Sequence, residues 1–251
     1  MYYIDTHCHL SENDNVKEIM NKCYEVSVNK IIISGCDFES IPSSIKIANE
    51  MDSIFLSLGF HPEVADIVTS QHLQKLIRQI ESNKKIVAVG EIGLDFHYGK
   101  QNSQAQIALF RNQLEIAEKF NLPVVIHTRD AIELTYQILK EYNVHGVIHC
   151  FSGSLEMANK FIKLGYYLGI GGVLTFKNCK LKEVLNKIPI TSIVLETDSP
   201  YLAPAPHRGS TNYPYYIPCI ATEIAHIYNI DEVEVARITT ANASRVFDRM
   251  K

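Results

Sequence analysis

Six side chains in this 251-residue sequence have the types that bind first-row divalent cations, and each stands at or near the end of a short apolar run. His7 and His9 close the run that leads into Asp5-Thr6-His7-Cys8-His9. Residues two apart on a strand share a face, so Asp5, His7 and His9 should ascend one side together. Glu91 ends Val87-Ala88-Val89-Gly90-Glu91, His127 ends Val124-Val125-Ile126-His127 and His149 ends Val147-Ile148-His149. Asp198 follows Val194-Leu195-Glu196-Thr197. Six donors exceed the three that one tetrahedral catalytic ion takes from its protein. Two ions sharing a carboxylate, ~3.5–4 Å apart, fit better, and such a pair clamps the attacking and leaving oxygens of a hydrolytic displacement. Glu91 is the expected bridge, because a carboxylate has two oxygens whereas an imidazole presents one nitrogen. His7, His9 and Asp198 would then serve one ion, and His127 and His149 the other. Asp198 would also hold and deprotonate the attacking water. Asp5 and Glu196, two residues inward of His7 and Asp198, either orient ligand histidines or are buried acids that fix loops.

This set converges only if the fold brings the ends of its elements together. Eight apolar, β-branched runs cross the chain: Tyr2–His7, Lys30–Ser34, Ile54–Leu58, Ile86–Glu91, Val124–His127, Gly146–His149, Tyr166–Ile170 and Ile193–Glu196. Several are nearly continuous, as strands buried on both faces are. Helical spacing lies between them: Leu73, Leu76, Ile77 and Ile80 form one face, and Ile107, Phe110, Leu114 and Ala117 another. Further helices are expected near 14–28, 39–50, 130–142, 154–164, 179–187, 215–228 and 231–240. Strand–helix alternation predicts an α/β fold with a parallel sheet. Eight units in this length match a (β/α)8 TIM barrel, with a doubly wound open sheet as the competitor. No linker or internal repeat interrupts the chain, and the proline-rich stretch Pro200–Pro218 reads as a loop after the last strand. A single domain over 1–251 is expected, with the active site at the C-terminal strand ends.

Composition excludes other classes. At 46% hydrophobic and 21% charged, the chain is neither disordered nor of low complexity. Lys+Arg number 24 against 28 Asp+Glu, a net charge of −4, so affinity for phosphates must come from a local site and not from a broad basic face. No apolar run reaches the ~18–20 residues of a membrane helix; Leu164–Phe176 is broken by glycines. The opening Met-Tyr-Tyr-Ile-Asp lacks the marks of a signal peptide, and a cytoplasmic protein without membrane association is expected. The six cysteines show no CxxC spacing and read as free thiols. The Gly169–Gly172 cluster does not match a nucleotide-binding loop and reads as close backbone packing.

Substrate contacts are sought among residues near the mouth. His61, in Gly59-Phe60-His61-Pro62, either meets a phosphate, donates a proton to a leaving oxygen, or packs beside His9. Arg129 and Arg208 carry donor forks suited to phosphate, although loop arginines are commonly just solvated; Lys177 and His207 come behind them. Tyr201, Tyr213, Tyr215 and Tyr216 either stack bases or pack the proline-rich loop.

The chain resembles the TatD family of metal-dependent deoxyribonucleases, within the amidohydrolase-like metal-dependent hydrolases. The resemblance runs through Asp5-Thr6-His7-Cys8-His9-Leu10, Gly59-Phe60-His61-Pro62, Gly90-Glu91-Ile92-Gly93-Leu94-Asp95 and Leu122–Ala131. It continues through Ile148-His149-Cys150-Phe151-Ser152-Gly153, Glu196–Pro204, Arg208-Gly209 and Asn242–Phe247. It implies a (β/α)8 barrel whose metal ligands are His7, His9, Glu91, His127, His149 and Asp198. It also implies hydrolysis of DNA phosphodiesters, often from the 3′ end of single strands, with divalent cations drawn from Mg, Mn or Zn. DNA is then the partner as substrate, with no obligate protein partner. Two departures concern one wall of the mouth. The first strand–helix connection, Ser11-Glu12-Asn13-Asp14-Asn15, is short, and Asn29 stands where a glycine usually precedes the second strand. The alternatives are hydrolysis of another ester or amide, such as an aminoacyl-tRNA ester or a small molecule, and a non-catalytic metal-stabilised scaffold. A scaffold site would be closed and four-coordinate, which six donors do not suggest.

Overall fold

The β-branched runs form strands because both of their faces are covered. The computed structural model describes residues 2–250, with β1 Tyr3–Cys8, β2 Val28–Gly35, β3 Ile54–Leu58, β4 Ile86–Asp95, β5 Val124–Arg129, β6 Gly146–Ile148, β7 Tyr167–Ile170 and β8 Ile193–Leu195. All ten residues of β4 are buried. The strands pair in parallel in the order β1 to β8, which rules out the doubly wound alternative. At the seam the His7 carbonyl accepts from the Thr197 and Asp198 amides at 3.3 and 2.9 Å, and His9 N donates to Ser199 O at 2.7 Å. Thr6 Oγ1 adds a bond to Leu195 O. The chain is a nearly closed (β/α)8 barrel, and its first and last strands meet through residues of the candidate site.

The helices are α1 Val16–Glu25, α2 Ser40–Glu50, α3 Ser70–Ser82, α4 Ser103–Phe120, α5 Ile132–Leu139, α6 Leu155–Lys163, α7 Leu181–Leu185, α8 Ile217–Tyr228 and α9 Glu232–Val246. They turn their periodic apolar faces to the sheet; α4 buries Phe110, Leu114 and Ala117, and α3 buries Leu76 and Ile80. A separate cluster joins Ile4, Ile32, Val87, Val125, Val147 and Val194 to Val246, Phe247 and Met250. Lys30 Nζ bonds Met250 O and Arg249 bonds Ile86 O, so this C-terminal segment covers the barrel end where strands begin, opposite the site.

Several element ends differ from expectation, and each shift has a cause. Glu91 does not end the fourth strand. The β4–β5 ladder shifts register between Val89 and Ile92, then resumes as Gly93 opposite His127 and Asp95 opposite Arg129. Gly93 permits this approach: its φ is +147°, and a Cβ there would lie 1.9 Å from the His127 carbonyl oxygen. His9 lies one residue beyond β1, His149 one beyond β6 and Asp198 three beyond β8. His149 N still donates to Ile126 O at 2.9 Å, so it holds its place without a continuing partner strand. Asn29 is inside β2 and not before it; Ser27, with φ 62°, takes the left-handed position of that turn. The cysteines are free, and no helix among the described residues is long and apolar enough to cross a membrane.

Candidate metal centre

Three positions within strands and three just beyond strand ends aim the six donors at one place. His7 and His9 point their Nε2 atoms at each other, 3.1 Å apart. Glu91 Oε2 lies 3.5 Å from His7 Nε2 and 3.8 Å from His9 Nε2. Asp198 Oδ1 lies 3.7, 3.5 and 3.5 Å from the Nε2 atoms of His7, His9 and His149. Two ligand atoms held at ~2.0–2.1 Å by one tetrahedral ion stand about 3.3 Å apart, so these spacings are those of donors arranged around a common cation. The buried Nδ1 of His7 has no hydrogen-bond partner, and its ring is stacked 3.7 Å from that of His149.

The other oxygen of Glu91 faces a different set. Oε1 lies 2.8 Å from His127 Nδ1, 3.7 Å from His149 Nε2 and 3.9 Å from His61 Nε2. The two oxygens of one buried carboxylate thus divide the histidines between them, His7 and His9 on one side and His127 and His149 on the other. Among the described residues, the three-donor groups able to hold an ion are His7–His9–Asp198, His7–Glu91–His149, His61–Glu91–His127 and, behind the centre, His149–Cys150–Glu196. The third includes His61, which packs not beside His9 but edge-on to His127, with ring centres 4.4 Å apart.

Carboxylates stand behind two of the histidines. Asp95 Oδ2 lies 3.0 Å from His127 Nε2, leaving Nδ1 for Glu91. Glu196 Oε1 accepts from Cys150 N at 2.5 Å and stands in ion-pair contact with His149 Nδ1 at 3.0 Å, leaving Nε2 for the centre. A carboxylate on one ring nitrogen fixes the ring and makes the other nitrogen a better ligand. Asp5 instead holds the barrel seam, accepting from Thr197 N, Thr197 Oγ1 and His7 N. Asp95 appears in the sequence only as the last residue of a family motif, with no role in the site, although it is four residues from Glu91 on the same strand. That signal was hidden because β4 was expected to stop at Glu91.

Electrostatics reflect this crowding. Burial resists ionisation of Glu91, but His149, His127 and His7 hold its carboxyl well below the usual range. Burial opposes protonation of His149, yet Glu196, Glu91 and Asp198 raise it to about 10; Asp95 and Glu91 likewise raise His127 to about 9 against burial. Burial pushes His61 down to about 4 and Asp5 up to about 8. The carboxylates thus hold His9, His127 and His149 in their protonated forms, and a bound cation would take the place of those protons.

The remaining candidates are placed differently. Arg129 is exposed with its guanidinium 5.7 Å over the Tyr98 ring, and Arg208 lies 3.6 Å over Phe176. Among the described residues, neither makes a hydrogen bond or ion pair with the six donors. Tyr213 stacks on Tyr215, and His207 stacks on Tyr216 at 3.9 Å, so this group packs the loop. Tyr201 is exposed, edge-on to His9 at 6.1 Å, and Lys177 is exposed.

A family model described as TatD related DNase matches residues 4–248. The chain belongs to the TatD family. It is 39% identical over 250 residues to a Bacillus subtilis protein named as the uncharacterized metal-dependent hydrolase YabD, covering 97% of this chain and 98% of that one. The crystal structure of the Escherichia coli TatD homologue YjjV superposes with a TM-score of 0.92 at 30% identity, covering 98% of both chains. A TatD-family hydrolase from Entamoeba histolytica shares the fold, with a TM-score of 0.89 at 22% identity and 98% coverage of both chains. This TatD-family chain is a metal-dependent hydrolase, and its His, Glu and Asp groups are those able to hold the metal.

Proposed function

We propose that this TatD-family hydrolase removes nucleotides from the 3′ end of single-stranded DNA, using two divalent cations, Mg, Mn or Zn, shared through Glu91. The observation that carries the reading is the division of the Glu91 oxygens, Oε2 toward His7 and His9 and Oε1 toward His127 and His149. His7, His9 and Asp198 would hold one cation, and His127 and His149 the other. When bound, the pair supplies Lewis-acid polarisation of a phosphate and a more acidic water. Asp198 is the central carboxylate that water can reach, with a side chain 15% exposed against 5% for Glu91, and it accepts the water's proton. Glu91 stays dry and orders the histidines. Glu63 N donates to His61 Nδ1, so the neutral His61 ring carries its hydrogen on Nε2, facing the centre, where it can donate a hydrogen bond to a phosphate oxygen.

A second reading has support in the mouth itself. Glu63, Asp66 and Asp95 line a cavity of about 320 Å³ beside His127. These carboxylates disfavour a polyanion and favour an ester or amide that carries an amino group, such as an aminoacyl ester. The deciding assay incubates purified protein with 3′-labelled single-stranded DNA and added Mg²⁺, Mn²⁺ or Zn²⁺, in parallel with an aminoacyl ester. Stepwise release of 3′ nucleotides, abolished by chelator, supports the nuclease. Ester cleavage with intact DNA moves the assignment to the second reading.

A further inference from the structure

A groove between α2 and α3 opens at the mouth, about 470 Å³ in volume and mostly apolar, and the reaction chemistry makes no use of it. Three rings form its upper end. Phe38 lies 5.4 Å from Phe60 and 4.6 Å from His72, centre to centre, with Ile45 below and Lys75 and Gln79 along the α3 side. Each ring is held by polar bonds made elsewhere. The turn carrying Phe38 is tied by Asp37 Oδ1, which accepts from the Glu39 and Ser40 amides at 2.9 and 2.7 Å. Phe60 has both its amide and its carbonyl bonded by the buried Gln113 side chain. His72 Nδ1 accepts from Thr69 N at 3.0 Å in the box that caps α3.

A site whose rings are fixed in advance loses little entropy when a flat ligand enters. Its volume lies within the range of about 300–1,000 Å³ usual for small-ligand pockets. It also shares both of its loops with the metal centre. His61 directly follows Phe60 and faces Glu91, while Cys36 accepts the His61 amide at 2.8 Å, two residues before Phe38. Lys75 is exposed and has no acidic partner among the described residues, so its charge is available to a phosphate. Gln79 carries an amide able to pair with a base edge.

We infer that this groove is a nucleobase subsite, in which a base of the single strand stacks on Phe38 with its phosphate toward Lys75 while the strand end lies at the metal centre. The inference rests on the proposed action on DNA, and its test is separable from that action. An oligonucleotide bearing 2-aminopurine, whose fluorescence is quenched on stacking, is titrated into the wild-type protein, Phe38→Ala and Phe38→Trp without added metal. Stacking on one aromatic ring predicts quenching by the wild type and by Phe38→Trp, and affinity about five- to a hundred-fold weaker in Phe38→Ala. Where DNA is cleaved, Phe38→Ala should raise KM for oligonucleotides by a similar factor. Its kcat on the same oligonucleotides should change much less than KM, as for a group that holds the strand away from the reacting atoms. Equal quenching and affinity in the wild type and Phe38→Ala would overturn the subsite, as would a concentration-dependent dimer that Phe38→Ala dissolves, which would give the groove to a second copy. Failure of DNA cleavage alongside Phe38-dependent quenching would refute the nuclease and leave the subsite standing.

Discussion

Gly169→Ala tests how the metal centre is built without touching a donor. A Cβ at residue 169 would lie 2.2 Å from Glu196 Oε2 and 2.6 Å from its Cδ. Ordinary contact is more than 1 Å longer, so the carboxylate must retreat by roughly 1 Å. Glu196 is fully buried; its Oε1 accepts from Cys150 N and stands 3.0 Å from His149 Nδ1. An added ~1 Å puts that ion-pair contact near 4 Å, the limit of a direct contact. His149 then loses the partner that fixes its ring, a loss that typically costs 10–100-fold in metal affinity or activity. That is about 1.4–2.7 kcal/mol, and overpacking adds ~1–3 kcal/mol of lost stability. Gly171→Ala is the matched control, because its Cβ would meet Glu196 O at an ordinary 3.6 Å. Zinc titration against a chromophoric chelator, with thermal melts of each variant, gives both quantities. Wild-type affinity in Gly169→Ala, or an equal loss in Gly171→Ala, would refute the role given to Glu196.

Asp95→Asn should weaken the Oε1-side cation about 10–100-fold, since Asp95 holds His127 Nε2 at 3.0 Å; unchanged metal binding on titration would contradict it. Chelation should abolish hydrolysis and leave the circular dichroism of the barrel intact, because the apolar core does not pass through the donors; unfolding on chelation would instead mark a structural metal. Oligonucleotide affinity should fall only gently with salt, with a log–log slope of about −2 or shallower, as expected for two or three phosphate contacts and a net charge of −4. A slope steeper than about −5 would reveal an extended cationic track.

The strands were legible because each is a β-branched run buried on both sides, and barrel topology then turns strand ends into one locus. That is why six donors scattered from His7 to Asp198 in sequence point to one place. Strand ends were less legible. Glu91 precedes Ile92-Gly93-Leu94, and whether the chain stays in the sheet there depends on a register shift against β5, which composition does not encode. Asp95 was missed for that reason alone. The position of His61 against His127, and the meeting of Phe38, Phe60 and His72, depend on side-chain directions from separate elements that no local pattern reports.

The central claim is that one carboxylate, Glu91, holds two cations together. Metal content per chain, measured after gel filtration in metal-free buffer, tests it directly in the wild type, Glu91→Gln and His149→Ala. Glu91→Gln keeps the shape and removes the charge, and His149→Ala removes a donor, neutral when it ligates, whose contact with Glu91 is to Oε1, and leaves the bridging carboxylate in place. Two ions in the wild type, one or none with lost hydrolysis in Glu91→Gln, and one firmly held ion in His149→Ala are the predicted results. Two ions and a near-normal rate in Glu91→Gln would contradict the bridge and pass that role to Asp198.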